Sequence, residues 1–159
     1  MATHFYTASS IDGFIATDQH SLDWLLKQDI DEEGPMSYAG FEKTIGALAM
    51  GASTYEWVMR HEEGRWGYEQ PTWVFAHRPL ELPAGADIRA AQGDVAAVHS
   101  EMVAAAGGKD LWVVGGGDLA GQFADAGLLD EVWVQYAPVT LGSVSYTHLR
   151  ALSLIHISE

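Results

Sequence analysis

The chain contains no cysteine, so neither a disulfide framework nor a thiolate metal site can form. Positive charge is nearly as scarce: 8 Lys+Arg stand against 22 Asp+Glu, a formal net charge of −14. So acidic a surface repels phosphate backbones and speaks against nucleic-acid binding. No stretch is long and apolar enough to cross a membrane. The opening Met1-Ala2-Thr3-His4-Phe5-Tyr6 has neither the basic start nor the apolar run of a secretory signal, so a cytoplasmic location is expected. The seven histidines are scattered with no His-x-x-x-His pair, and no metal site is expected. A Walker lysine is also absent.

What remains is a 159-residue chain that is 48% hydrophobic, enough for one domain with a real core. Hydrophobic runs alternate with helical patterns, the mark of an α/β fold. Strands are expected at Thr3–Ala8, Ala47–Met50, Thr72–Ala76, Leu111–Val114 and Glu131–Tyr136, with a short edge strand at Asp87–Ala90. A helix from Met36 to Gly46 is read from Tyr38, Phe41 and Ile45 at helical spacing. Ser53 and Glu56 form a capping-box pattern. Asp94 caps a helix to about Ala106, with Val95, Val98 and Met102 on one face. A further helix, Asp118 to Ala126, turns Leu119, Phe123 and Ala126 to the sheet. Trp73, Trp112 and Trp133 fall in strands and read as packing, whereas Trp57 and Trp66 have no evident place.

Three places carry chemistry. In Leu111 to Ala126 a continuously apolar strand meets Gly115-Gly116-Gly117 and then a helix. Glycines there permit close backbone approach and positive φ. The helix start aims free amides at the same spot, which could hold a diphosphate without any positive side chain; a tight βα turn with no ligand explains the segment equally well. Met50-Gly51-Ala52-Ser53-Thr54 repeats the arrangement, although in isolation ordinary capping explains it better than a ligand does. At Phe75-Ala76-His77-Arg78 a strand end delivers one of the rare arginines, whose planar fork suits a phosphate monoester, although by itself such an arginine is more often a solvated surface charge.

In order and spacing these segments resemble the dihydrofolate-reductase-like superfamily, and most closely the branch related to the C-terminal reductase domain of bacterial riboflavin biosynthesis. Ala8-Ser9-Ser10-Ile11-Asp12-Gly13-Phe14-Ile15-Ala16, Leu22-Asp23-Trp24-Leu25, Met50 to Glu56, Val113 to Leu119, Asp130 to Val134 and Pro138-Val139-Thr140-Leu141-Gly142 carry the likeness, over about Thr3 to Ser143. The resemblance implies a three-layer α/β domain with a mostly parallel central sheet and flanking helices. It implies NADPH as cofactor, with Ala8, Ile15 and Ala16 near the nicotinamide. Gly51, Ser53 and Thr54 would lie under the phosphates, and Ala76, His77 and Arg78 would meet the 2′-phosphate. Gly115, Gly116, Gly117, Asp118 and Leu119 would wrap the diphosphate and ribose. The substrate would contact Asp12, Trp24, Tyr38 and Phe41. The implied activity is hydride transfer to a small heterocycle, as in reduction of 5-amino-6-(5-phosphoribosylamino)uracil, with no catalytic residue singled out. Homodimers are common among similar proteins.

The chain departs from the pattern in three ways. Pro35-Met36-Ser37-Tyr38 lacks the carboxylate that pairs with pterin in true dihydrofolate reductases, and Glu42 lies later on that helix, which speaks against folate. Ala52 stands where a basic residue often follows the glycine. Residues 144–159 read like translated sequencing-adapter read-through, a non-native tail on a domain spanning 1–143, with the family's last hairpin missing or replaced. These departures keep a second expectation in view, a non-catalytic nucleotide-binding protein that retains the fold.

Overall fold

The computed structural model describes residues 1–17, 21–28, 34 and 37–142. The elements in order are β1 (Thr3–Ser10), α1 (Asp23–Leu26), α2 (Tyr38–Glu42), β2 (Ile45–Gly51), α3 (Ala52–His61), β3 (Thr72–Phe75), β4 (Ile88–Ala91), α4 (Val95–Ala105), β5 (Asp110–Gly115), α5 (Gly117–Asp125) and β6 (Glu131–Ala137). The strands form one sheet in the order β4-β3-β2-β5-β1-β6, and every described pairing is parallel. The expected α/β architecture, a parallel sheet with helices on both faces, is what the chain adopts. The atypical tail and the fate of the last hairpin lie outside the described residues.

The two-residue period of a strand sorts the core into two layers. Ala47, Ala49, Leu111 and Val113 face α4 and α5, where they meet Val98, Met102, Leu119 and Phe123. Leu48 and Trp112 face the opposite layer with Tyr6 and Phe41, while Met50 and Val74 pack there on Tyr55 of α3. Trp73 and Trp112 are core residues as expected; Trp133 is half-buried on the edge strand.

Some boundaries differ from expectation for identifiable reasons. The helix read as Met36–Gly46 is only Tyr38–Glu42 among the described residues. Ser37 caps it by accepting from the Gly40 amide, and the Thr44 hydroxyl donates to the Phe41 carbonyl just past its end. Ile45 then pairs with Asp110 as the first residue of β2, so its apolar side chain serves the sheet rather than a helix face. A five-residue helix has no stability of its own. Phe41 anchors this one: it is buried and stacks on Tyr6 at 4.6 Å, with Trp112 edge-on at 5.3 Å. Burying such a ring contributes about 2–3 kcal/mol. Asp94 caps α4 as expected, accepting from the Ala96 amide. Ala126, expected to face the sheet, is instead the exposed residue just past α5, because the helix turn has already ended there.

Candidate functional site

β2 and β5 are neighbours, paired through Ala49–Val113 and Met50–Gly115. From β2 the chain leaves through α3 toward β3, and from β5 it leaves through α5 toward β6, on the other side of the sheet order. Connections that diverge from adjacent parallel strands open a crevice at the strands' carboxyl ends. Both turns into that crevice are led by glycine. Gly51 precedes α3 with φ −79° and ψ 164°, and Gly116 precedes α5 with φ −84° and ψ −172°. Neither helix has a side-chain cap, so the amides of both first turns point toward the crevice without a side-chain acceptor.

The two turns touch. A Cβ on Gly51 would lie 3.8 Å from the Gly115 carbonyl oxygen and 3.9 Å from the Gly116 nitrogen. One on Gly115 would come within 3.1 Å of Thr54 Oγ1, so the first turn of α3 closes over the end of β5. Gly116 and Gly117 face open space, and the Gly115–Gly116 peptide is cis. Positive φ, expected for this triplet, occurs at none of the three. At 115 a side chain would crowd Thr54, and at 116 and 117 glycine leaves the surface bare.

The expected capping box does not form. β2 runs straight into α3, so extended Gly51 takes the cap position and Ser53 falls inside the first turn, exposed. Glu56 instead pairs with Arg78. Gly51 pairs with Phe75, which brings Ala76, His77 and Arg78 off β3 beside the same crevice; Ala76 is buried, His77 and Arg78 exposed. On α5, Asp118 is exposed and accepts from Gln122 at 2.9 Å, while the Leu119 side chain is buried in the core. Only the backbone of Leu119 can therefore face a ligand.

β1 delivers half-buried Ala8 to this end of the sheet: Phe5 pairs with Val113, and Ala8 and Gly116 each lie three residues further on. The loop beyond folds on itself. The Ser10 amide donates to the Phe14 carbonyl at 2.8 Å, and the Asp12 carboxylate accepts from Ser10 Oγ and from the amides of Leu141 and Gly142 at 3.1 and 2.8 Å. These donors, the Ser10 hydroxyl first, hold the Asp12 carboxyl below its ordinary range. Asp12 thus ties this loop to the segment after β6. Ile15 is half-buried and Ala16 buried at the loop's end.

A separate cleft of about 220 Å³ opens between α2 and α3, lined by Tyr38, Glu42, Trp57, His61, Glu62 and Tyr68 among others. The Tyr38 and Tyr68 phenols hydrogen-bond each other, and burial pushes both above the ordinary tyrosine range. His61 stacks flat on Trp57 at 4.7 Å. Tyr38 lines this cleft, and Phe41 is buried against Tyr6 and Trp112. Trp24 sits half-buried on α1, its indole N–H buried without a partner among the described residues. His61, Glu62 and Tyr68 were not singled out by sequence; Glu42 was weighed only as a displaced pterin carboxylate, and Trp57 had no evident place. The available signal was the i, i+4 spacing of Tyr38 with Glu42 and of Trp57 with His61, which sets polar and aromatic groups on one helix face. Among the described residues no cluster of His, Asp or Glu could hold a metal, and no helix is long and apolar enough to cross a membrane.

Fold and crevice together define a dihydrofolate-reductase-like domain. The chain belongs to the RibD C-terminal domain family, whose sequence profile matches residues 59–155. The uncharacterized Bacillus subtilis (strain 168) protein YwjB is 30% identical over 142 residues, 89% of this chain and 79% of that protein. The crystal structure of a Shewanella sp. PV-4 protein described as a riboflavin biosynthesis protein superposes with a TM-score of 0.77 at 25% identity, covering 94% of this chain and 82% of that one. Dihydrofolate reductase from Enterococcus faecalis, complexed with NADP(H), superposes at 0.55 with 18% identity, covering 93% and 76%; at that identity the likeness is one of fold alone. The chain is reductase-like in family and in fold.

Proposed function

We propose that this protein is an NADPH-dependent reductase that transfers hydride to a small heterocyclic substrate. The observation that carries the reading is the contact between the two glycine-led, uncapped helix starts at Gly51 and Gly116 in one crevice. On a chain of net charge −14, an anionic dinucleotide needs local attraction, and two convergent sets of amides supply it. The bare surface at Gly116 and Gly117 lets a diphosphate reach those amides. Arg78 stands at the rim where a 2′-phosphate would be read, once it exchanges Glu56 for that group.

A bound nicotinamide dinucleotide would supply the hydride. The chain's own contribution is placement and exclusion of water. Ala8 and Gly115 keep the crevice floor at the end of β1 and β5 free of bulk. The loop clasped by Asp12 flanks that floor, and the Tyr38, Trp57 and Tyr68 rings wall the separate cleft between α2 and α3. The Tyr38 and Tyr68 phenols remain protonated at neutral pH and so can donate hydrogen bonds to a ring acceptor. Reduction of a ribosylamino-pyrimidine phosphate, as in riboflavin biosynthesis, is the reaction the family suggests first.

Titration with NADPH and NADH, followed by tryptophan fluorescence, tests the reading. NADPH is expected to quench, and Arg78→Ala to weaken NADPH more than NADH. Equal losses for both nucleotides would remove the role given to Arg78, and absence of NADPH binding would remove the reading itself.

A further inference from the structure

Arg78 lies on the span 76–87, which runs from β3 to β4 with no helix or strand of its own. The sheet fixes both ends of that span: the Ala76 amide donates to the Ala91 carbonyl, and the Asp87 carbonyl accepts from the Thr72 amide. Between its ends the span is tied to α3 at two points. The Tyr55 hydroxyl donates to the Glu81 carbonyl at 2.6 Å, and the Arg78 guanidinium pairs with Glu56. Among the described residues no other hydrogen bond joins residues 77–82 to the rest of the chain. Tyr55 and Glu56 are consecutive on α3, one turn past its glycine-led start.

The two ties differ in kind. Tyr55 is 3% exposed, its ring clustered with Met50, Val74 and Ile88, and Leu80 of the span packs on the same cluster. Burial first, and then the charge of Glu81, raises the Tyr55 phenol above its ordinary range, so the hydroxyl keeps the proton it donates. The Arg78–Glu56 pair is solvated, its side chains 62% and 36% exposed, and such a pair exchanges partners at little cost. When Arg78 leaves Glu56 for a 2′-phosphate, the Tyr55 bond still holds the middle of the span to α3. Pro79 and Pro83 stiffen the chain on either side of Glu81, so a tether there, three residues from Arg78, limits where the guanidinium can reach.

We infer that Tyr55 is a positioning residue for cofactor selection: its hydroxyl, through the Glu81 carbonyl, holds Arg78 at the rim of the crevice and so sets the preference for a 2′-phosphorylated dinucleotide over the unphosphorylated one. The inference rests on the reading of the crevice as a nicotinamide-dinucleotide site with Arg78 as the phosphate contact. Tyr55 is buried, so it acts through Arg78 rather than by touching the nucleotide. The net worth of one neutral hydrogen bond bounds the effect at roughly two- to tenfold in affinity. That effect falls on NADPH alone, because NADH offers Arg78 no phosphate monoester.

Tyr55→Phe removes the hydroxyl and keeps the ring. Dissociation constants for NADPH and NADH, with thermal unfolding of the same samples, test the inference on wild type, Tyr55→Phe, Arg78→Ala and the double variant. Tyr55→Phe is expected to lower the NADPH-to-NADH affinity ratio at least about twofold, with NADH within about 1.5-fold of wild type. In the Arg78→Ala background it is expected to leave the ratio unchanged, because the two residues act as one unit. A residue that only stabilised the domain would weaken both nucleotides alike or neither. Either of those results, or a ratio that falls as far without Arg78 as with it, would overturn the inference. Leu80→Ala removes the span's apolar anchor and leaves α3 intact; it decides the test if Tyr55→Phe does not fold, and an unchanged ratio there overturns the inference too. An Arg78→Ala ratio equal to wild type removes the role of Arg78, and absence of NADPH binding removes the reductase reading; each takes the inference with it. The inference fails alone when Arg78→Ala moves the ratio and Tyr55→Phe does not, so the failures are distinguishable.

Discussion

Gly117→Ala separates the fold from the crevice. Gly117 is the first residue of α5, and a Cβ there meets nothing within 4 Å. Its φ is not positive, so alanine enters without backbone strain. In a helix alanine is favoured over glycine by about 0.5–1 kcal/mol, with the lower end fitting a first-turn position. For a domain of this size that raises Tm by roughly 1–3 °C. The added methyl, however, projects into the space through which a diphosphate would approach the α5 amides. Losing one such charge-assisted hydrogen bond costs about 1.5–3 kcal/mol, which weakens NADPH at least about tenfold. Thermal unfolding and a fluorescence titration on the same protein measure both effects. An NADPH affinity within about twofold of wild type, with Tm maintained, would refute the placement of the diphosphate at this turn.

Two further outcomes follow from the same geometry. Glu56→Gln releases Arg78 from its exposed ion pair and is expected to tighten NADPH by roughly two- to fivefold while leaving NADH unchanged; a parallel change for both nucleotides would count against a phosphate role for Arg78. His99 bonds to Thr3 Oγ1 at 2.9 Å, and burial lowers its pKa from 6.5. Below about pH 6.5 the unfolded chain therefore takes up the proton first. Its contribution to stability is present above that pH and is lost as pH falls through the lower, folded value. Denaturant midpoints measured between about pH 8 and pH 5 should fall less steeply in His99→Gln than in wild type, and an unchanged difference across that range would contradict the assignment.

Much of this molecule could be read along the chain, because strands and helices announce themselves through local period. Leu111–Val114 is apolar throughout, and its residues do alternate between two covered faces. Val95, Val98 and Met102 do share the buried face of α4, and Asp94 does cap it. The glycine-led turns were visible as well, since a helix start after glycine has a signature a few residues long. The acidic composition set its own limit: an anion could be held only by backbone amides and a few chosen cations.

Competition between local options, and everything that depends on distant residues meeting, was settled in three dimensions. Ile45 fits a helix face by spacing, yet the ladder with Asp110 recruits it to β2. Ser53 and Glu56 have the spacing of a capping box, yet a strand running directly into α3 gives the cap to Gly51 and leaves Glu56 to Arg78, 22 residues away. The sequence could not show that the Asp12 carboxylate is met by amides about 130 residues on. The contact of Gly51 with Gly115 and Gly116, and the cleft that unites α2 with α3, exist only because strand order places β2 against β5 and layers both helices on one face. Chain period is a property of neighbours in sequence; sheet order is chosen by the burial of whole faces, and that choice brought the two helix starts into one crevice.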